Sequence, residues 1–154
     1  DDIPESFYND KGARTKDFLP TAVVDRIMNE TEFDCPLPRS VADLIYIMGL
    51  NKHNGSWDSE VEKKLRDIDF SFSDMIAFRD DVFRFFTEHH FPEKDARRYS
   101  EWIRKGKKLP KDCDTSHLTS DFDKFILRRF EKIKYLFPKA HVVEYMLFLI
   151  KVLG

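Results

Sequence analysis

The chain has 154 residues, about one domain's worth, of which 42% are hydrophobic and 35% charged; the charged share stands well above the roughly 25% usual in soluble proteins. Lys and Arg number 26 against 28 Asp and Glu, a formal net charge of −2, so whole-molecule charge calls for no polyanionic partner and a nucleic-acid surface would have to be a local patch. Aromatics at 14% exclude a disordered chain, and Gly 5 with Pro 7 exclude collagen-like and low-complexity classes.

The chain opens on Asp1-Asp2-Ile3-Pro4, which lacks the basic and then apolar run of a signal peptide. It also lacks an initiator Met, as expected of a piece excised from a longer protein. Residues 1–15 read as an irregular segment. From Asp17 to Glu30, Val23, Val24, Ile27 and Met28 form a helical stripe. Residues 29–39 read as a loop. The next helix is better marked: Ser40 caps it, Asp43 completes a box-like pair, and Val41, Leu44, Ile45 and Met48 share a face. Gly49 fits a left-handed stop. Trp57, Val61, Leu65 and Ile68 repeat at helical spacing, and Ser71 with Asp74 predicts another cap before Met75 and Ile76.

Arg79 to His90 is predicted to bury Val82, Phe83, Phe85 and Phe86. Pro92 opens a helix whose inner face is Ala96, Tyr99, Trp102 and Ile103, with Gly106 after its end. Residues 110–119 read as a loop. Ser120 and Asp123 cap a stripe of Phe122, Phe125, Ile126, Phe130 and Ile133. Pro138 precedes a last helix in which Tyr145 to Ile150 leaves no polar face. Such a helix is either a central core element or one whose cover lies in another segment or a partner protein. No segment alternates long enough to be a strand, so the chain reads as one all-α, irregular multi-helix domain over residues 1–154, with about eight helices.

Membrane insertion is not expected, because the longest apolar run falls far short of the ~20 residues a bilayer requires. Cys35 and Cys113 lie far apart and outside any CxxC unit, which points to a reducing cytoplasm with neither a disulfide framework nor a zinc site. His89 and His90 are adjacent and diverge by about 100° on a helix. His53, His117 and His141 are dispersed. No nucleophile–base pair or metal-ligand spacing is visible, so no catalytic residue and no metal site is assigned.

Charge geography carries more information. Lys94, Arg97, Arg98, Arg104, Lys105, Lys107, Lys108 and Lys111 face only Asp95 and Glu101 in their stretch. Lys124, Arg128, Arg129, Lys132, Lys134 and Lys139 face only Glu131 in theirs. Two basic stretches in a near-neutral chain suit a phosphate-facing surface, where each cation releases a counterion without reading sequence. Solvated helix faces are the plainer alternative.

The sequence Lys132-Ile133-Lys134-Tyr135-Leu136-Phe137-Pro138-Lys139-Ala140-His141, followed by Tyr145, resembles a motif in the fingers of PolC-type bacterial replicative DNA polymerases, the DNA polymerase III alpha or C family. Three more pieces stand in the family's order. Leu44-Ile45-Tyr46-Ile47-Met48-Gly49-Leu50 with Trp57 is similar to the segment leading into a Ser-His-Gly-Thr loop. Phe72-Ser73-Asp74-Met75-Ile76 with Arg79-Asp80-Asp81-Val82 resembles the stretch ending in Arg-Asp-Asp. Ile103-Arg104-Lys105-Gly106-Lys107-Lys108-Leu109 is the fourth. Together they span roughly residues 17 to 153.

The resemblance implies helical fingers that close over an incoming deoxynucleotide and the template base. Arg79, Lys134, Lys139 and His141 would then lie near the triphosphate and nascent pair, and Arg104, Lys105, Lys107 and Lys108 on the DNA side. The family's palm carboxylates, which hold two magnesium ions for phosphoryl transfer, have no counterpart in this chain. A fingers-like module that binds deoxynucleotide and DNA without catalysing alone, and without a cofactor of its own, is therefore implied. The alternative is a free-standing, divergent, non-catalytic relative that binds DNA or, through its apolar last helix, a replication protein. Departures mark the divergence: Asn51-Lys52-His53-Asn54 replaces Ser-His-Gly-Thr, Asp58-Ser59-Glu60 replaces a Gly-Asn-Ala-rich turn, and Glu144 replaces a small residue.

Overall fold

A computed structural model describes residues 19–31 and 35–153. Among them are seven α-helices and one 3-10 turn, with no strand: α1 (Thr21–Glu30), α2 (Val41–Gly49), α3 (Ser59–Leu65), the turn Phe72–Asp74, α4 (Arg79–Glu88), α5 (Glu93–Arg104), α6 (Asp121–Lys132) and α7 (Lys139–Leu153). The all-α expectation therefore holds. Residues 1–15, Asp17 and residues 32–34 lie outside the described residues.

Caps set several boundaries. The Asp43 amide donates to Ser40 Oγ at 3.1 Å, while the Asp43 carboxylate accepts the Arg39 amide instead of closing a reciprocal box on Ser40. Ser120 Oγ accepts the Asp123 amide at 3.0 Å to start α6. Asp58 starts α3 by accepting the amides of Glu60 and Val61.

Four expectations are corrected. Gly49 is not a left-handed stop: α2 ends in extended backbone at Leu50, and the glycine is needed because a Cβ there would lie 2.6 Å from the Phe78 ring. The Ser71–Asp74 cap is present, but it closes a single 3-10 turn, after which Met75 and Ile76 are buried outside any helix. Ile68, placed on an inner stripe, is 95% exposed because α3 stops at Leu65. Trp102 also points outward, leaving Ala96, Tyr99 and Ile103 as the buried face of α5.

Helices α4 and α5 form the closest helix pair, and α2 packs against α1, α7 and the 3-10 turn. An aromatic cluster joins α4, α5 and α6: fully buried Phe86 lies 4.9 Å from Tyr99, 5.0 Å from Phe91 and 5.6 Å from Phe130, ring centroid to centroid. Edge-on and offset rings at these spacings add about 0.5–1.5 kcal/mol per pair beyond the area they bury. His89, at the end of α4, ties that helix to α6, one ring nitrogen 2.7 Å from the Phe85 carbonyl and the other 2.8 Å from Asp123 Oδ1. Helix α7 is not the central core helix. Val143, Met146 and Leu149 are buried, but Tyr145, Phe148 and Val152 face outward.

Candidate nucleotide and nucleic-acid interface

Between α6 and α7 the chain runs extended. Ile133 and Leu136 turn inward, and Lys134, Tyr135 and Phe137 turn outward. The backbone of this segment is held by three other parts of the fold. The Lys134 amide donates to the Asn54 carbonyl at 2.7 Å, and the Leu136 amide to the Arg104 carbonyl at 3.0 Å. The Arg79 amide donates to the Phe137 carbonyl at 3.3 Å, and the Lys139 amide to Asp80 Oδ1 at 2.9 Å.

Two glycines permit the approach. Gly55 (φ +83°) and Gly106 (φ +80°) occupy the left-handed region. A Cβ on the first would sit 1.9 Å from the Lys132 carbonyl oxygen, and on the second 2.3 Å from that of Lys134. The loop at 51–57, the end of α5 and the start of α4 thus converge on one seam.

Arg79, Arg104, Lys134 and Lys139 all meet this seam through backbone hydrogen bonds of their own or of neighbouring residues. Glu101 links two of their side chains, with its carboxylate 3.6 Å from the Arg79 guanidinium and 2.9 Å from Arg104 Nε. Lys139 Nζ lies 5.1 Å from the centroid of the Tyr46 ring, a cation–π distance. His141 is exposed on the first turn of α7, its amide donating to the Pro138 carbonyl. Lys105, Lys107 and Lys108 are exposed in the turn beside Gly106, with Lys107 Nζ over the Trp102 ring at 5.2 Å. Among the described residues, none of these three lysines has a carboxylate within ion-pair distance.

The second basic stretch does not stay together, which corrects its reading as one phosphate-facing run. Arg128 pairs with Glu60 at 2.8 Å. Arg129 Nη2 reaches Asp58 at 2.7 Å and Glu60 at 2.9 Å, and Lys132 lies 3.6 Å from Asp58. Burial works against ionisation of Asp58, but the Arg129 hydrogen bond and the amides of Val61 and Glu60 hold its carboxyl below the ordinary range. Arg128 and Arg129 hold Glu60 low despite partial burial. Arg129 is 1% exposed, with Nε and Nη1 lacking hydrogen-bond partners among the described residues. Asp58-Ser59-Glu60 therefore has a physical result: Asp58 caps α3, and the two acids take up Arg128, Arg129 and Lys132 of α6. Of this stretch, Lys134 and Lys139 remain at the seam.

Asp81 anchors the seam from beneath. It is buried and accepts hydrogen bonds from the Tyr46 hydroxyl at 2.6 Å and from the amides of Ala77 and Phe78, each at 2.9 Å. Burial pushes its carboxyl above the usual range, opposed by these donors and by Arg84 nearby. Its role, and those of Asn54, Gly55, Gly106 and Glu101, were not visible as site chemistry in the sequence. The Gly106 position after a basic helix end was the one available signal. The substituted loop borders a cavity of about 220 Å³ lined by Ile27, Glu30, Met48, Asn51, Lys52 and His53, among others. Among the described residues no group of three or more His, Cys, Asp or Glu could hold a metal ion, and no helix is long and apolar enough to cross a membrane.

No protein-family model matches the chain. Curated relatives do. The DNA polymerase III PolC-type of Mycoplasma pneumoniae is 32% identical over 127 residues, which is 82% of this chain and 8% of that protein. The protein of the same description from Clostridium perfringens is 29% identical over 115 residues, 75% of this chain and 8% of its own length. That from Listeria monocytogenes is 26% identical over 132 residues, 86% and 9% respectively. The chain thus spans under a tenth of the length of these relatives.

Proposed function

Because this chain is a divergent region related to PolC-type DNA polymerase III, we propose that it is a fingers-like module that binds deoxynucleotide and DNA and does not catalyse nucleotide transfer alone. The observation that carries the reading is the seam. Backbone hydrogen bonds bring the segment bearing Lys134 and Lys139 against Arg79, Asp80 and Arg104, so cations far apart in sequence share one locality. Arg79, Lys134, Lys139 and His141 supply the triphosphate-binding charge in this reading, and Arg can grip phosphate oxygens bidentately. Arg104, Lys105, Lys107 and Lys108 face the DNA backbone. In this reading magnesium is supplied by the palm of the parent polymerase and not by residues of this chain.

A second reading, a free-standing non-catalytic relative, is favoured by one observation: Glu101 already engages Arg79 and Arg104, which lowers the positive potential a triphosphate would meet. Titrating salt against DNA affinity, followed by fluorescence anisotropy, tests the DNA contact. With Arg104, Lys105, Lys107 and Lys108 in contact, log affinity falls against log salt with a slope of about −3 to −4 on duplex, at about 0.9 per phosphate neutralised. Alanine at Lys105, Lys107 and Lys108 flattens most of that slope. No DNA binding at low salt overturns the DNA role. Loss of deoxynucleoside triphosphate binding on Lys134→Ala and Lys139→Ala separates the first reading from the second.

A further inference from the structure

We propose that this chain pairs with a second copy of itself through the outward face of α7, the two helices running antiparallel about a two-fold axis near Phe148. The inference does not rest on the nucleotide and DNA reading: it uses the outward face of α7 beyond His141, the one residue of that reading on the same face. Val143, Met146 and Leu149 bury the inner side of α7, while Phe148 is 57% exposed, Val152 59% and Tyr145 38%. At about 100° per residue these three side chains and His141 fall within one sector of about 60° on the helix. The Tyr145 and Phe148 rings already stack at 6.4 Å, so the apolar strip is partly organised before any partner arrives.

What selects a second copy is the charge beside the strip. Glu144 and Lys151 are both exposed, and by helical geometry both fall on the same flank of it, two turns apart. In an antiparallel helix pair, like flanks face each other. With Phe148 against Phe148 of the second copy, Tyr145 comes within one residue's rise, about 1.5 Å, of the level of Val152, and Glu144 within the same distance of the level of Lys151. The two-fold then repeats each contact, as an isologous interface requires. In a parallel pair each flank instead faces the opposite flank of the other helix, where Val142, Leu149 and Leu153 offer Glu144 and Lys151 no charged partner. The flanking charges thus pair with each other only in the antiparallel orientation. Helix α7 is about 22 Å long at 1.5 Å per residue, so the contact is small and the dimer belongs to the weak, reversible class.

Sedimentation of the full chain from low micromolar to several hundred micromolar tests this. The expected result is a weight-average mass rising toward twice the monomer value. Phe148→Asp, a change at an exposed position that leaves the helical circular dichroism intact, holds the protein at monomer mass throughout. Lys151→Glu weakens the dimer about tenfold, since two symmetric contacts turn from attraction to repulsion. The double variant Glu144→Lys with Lys151→Glu restores the parent dissociation constant. A monomer at every concentration, a dimer unaffected by Phe148→Asp, or a charge-swapped double variant that stays weak each overturns the proposal.

Discussion

Replacing Gly106 by alanine attacks the seam at a backbone position and leaves every candidate side chain in place. Two costs combine. The residue sits at φ +80°, where an L-side chain costs about 1–2 kcal/mol. The new Cβ would lie 2.3 Å from the Lys134 carbonyl oxygen, so the two backbones must part by nearly 1 Å to reach ordinary contact (about 3.2 Å or more). That carbonyl belongs to a segment whose Lys134 and Leu136 amides are bonded to Asn54 and Arg104. Separation strains or breaks at least one of those bonds, at about 1–3 kcal/mol for an orphaned buried group.

The expected destabilisation is therefore about 2–5 kcal/mol, a large part of the 5–15 kcal/mol by which domains are usually stable. Urea unfolding followed by circular dichroism measures it. Lys107→Ala, exposed and one residue away, serves as the control and stays within about 0.5 kcal/mol of the parent. Gly106→Ala also weakens DNA and triphosphate binding even where the protein remains folded, because it displaces Lys134. A variant within 1 kcal/mol of the parent by this measure, with undiminished binding, would refute the claim that the segment is pinned at this point.

Asp81→Ala leaves the Tyr46 hydroxyl and the amides of Ala77 and Phe78 without an acceptor; a loss of about 3–5 kcal/mol in urea unfolding is expected, and Tyr46→Phe loses less because the two amide bonds survive. Asp58 and Glu60 have carboxyls held low in the folded protein. Their contribution is full above the ordinary carboxylate pKa of about 4 and disappears as pH falls from there through the depressed folded values. Stability measured against pH should therefore drop less steeply below pH ~4 in Asp58→Asn with Glu60→Gln than in the parent; parallel curves would remove the α3–α6 ion pairs from the account.

Helix content was legible where local signals sufficed. Ser40 and Ser120 cap as their positions suggest, and the apolar spacing of α4, α5 and α6 places Val82, Ala96, Phe125 and Phe130 in the core. Expectations failed where a contact distant in sequence decided the outcome. Gly49 is required by the Phe78 ring, a neighbour that spacing cannot foresee. Ile68 continues a helical period that α3 ends before reaching, and Trp102 satisfies periodicity on a helix whose buried face is narrower than the stripe. The candidate site divides the same way. The motif from Lys132 to His141 locates it, but nothing in that motif reveals that Asn54, Arg104 and Arg79 hold its backbone. The pairing of Arg129 with Asp58 across 71 positions is equally silent in the sequence.

That pairing also explains how substitutions in one loop can redirect a surface on another helix. A cation run counts toward polyanion binding only if its charges are unspent. Asp58, the N-cap of α3, and Glu60, on its first turn, take up Arg128, Arg129 and Lys132. Arg129 cannot be released cheaply, because it is buried and removing its carboxylate partners would strand a charge, at about 3–5 kcal/mol. Arg128, Arg129 and Lys132 are thereby withdrawn from the positive surface, while Lys134, where Gly106 approaches it, keeps its charge unspent among the described residues. A relative with a neutral turn in place of Asp58-Ser59-Glu60 would leave the outer face of α6 positive and able to extend the contact. The acids act less on the strength of the candidate phosphate-binding surface than on its extent: they take Lys132 out of it and leave Lys134 in.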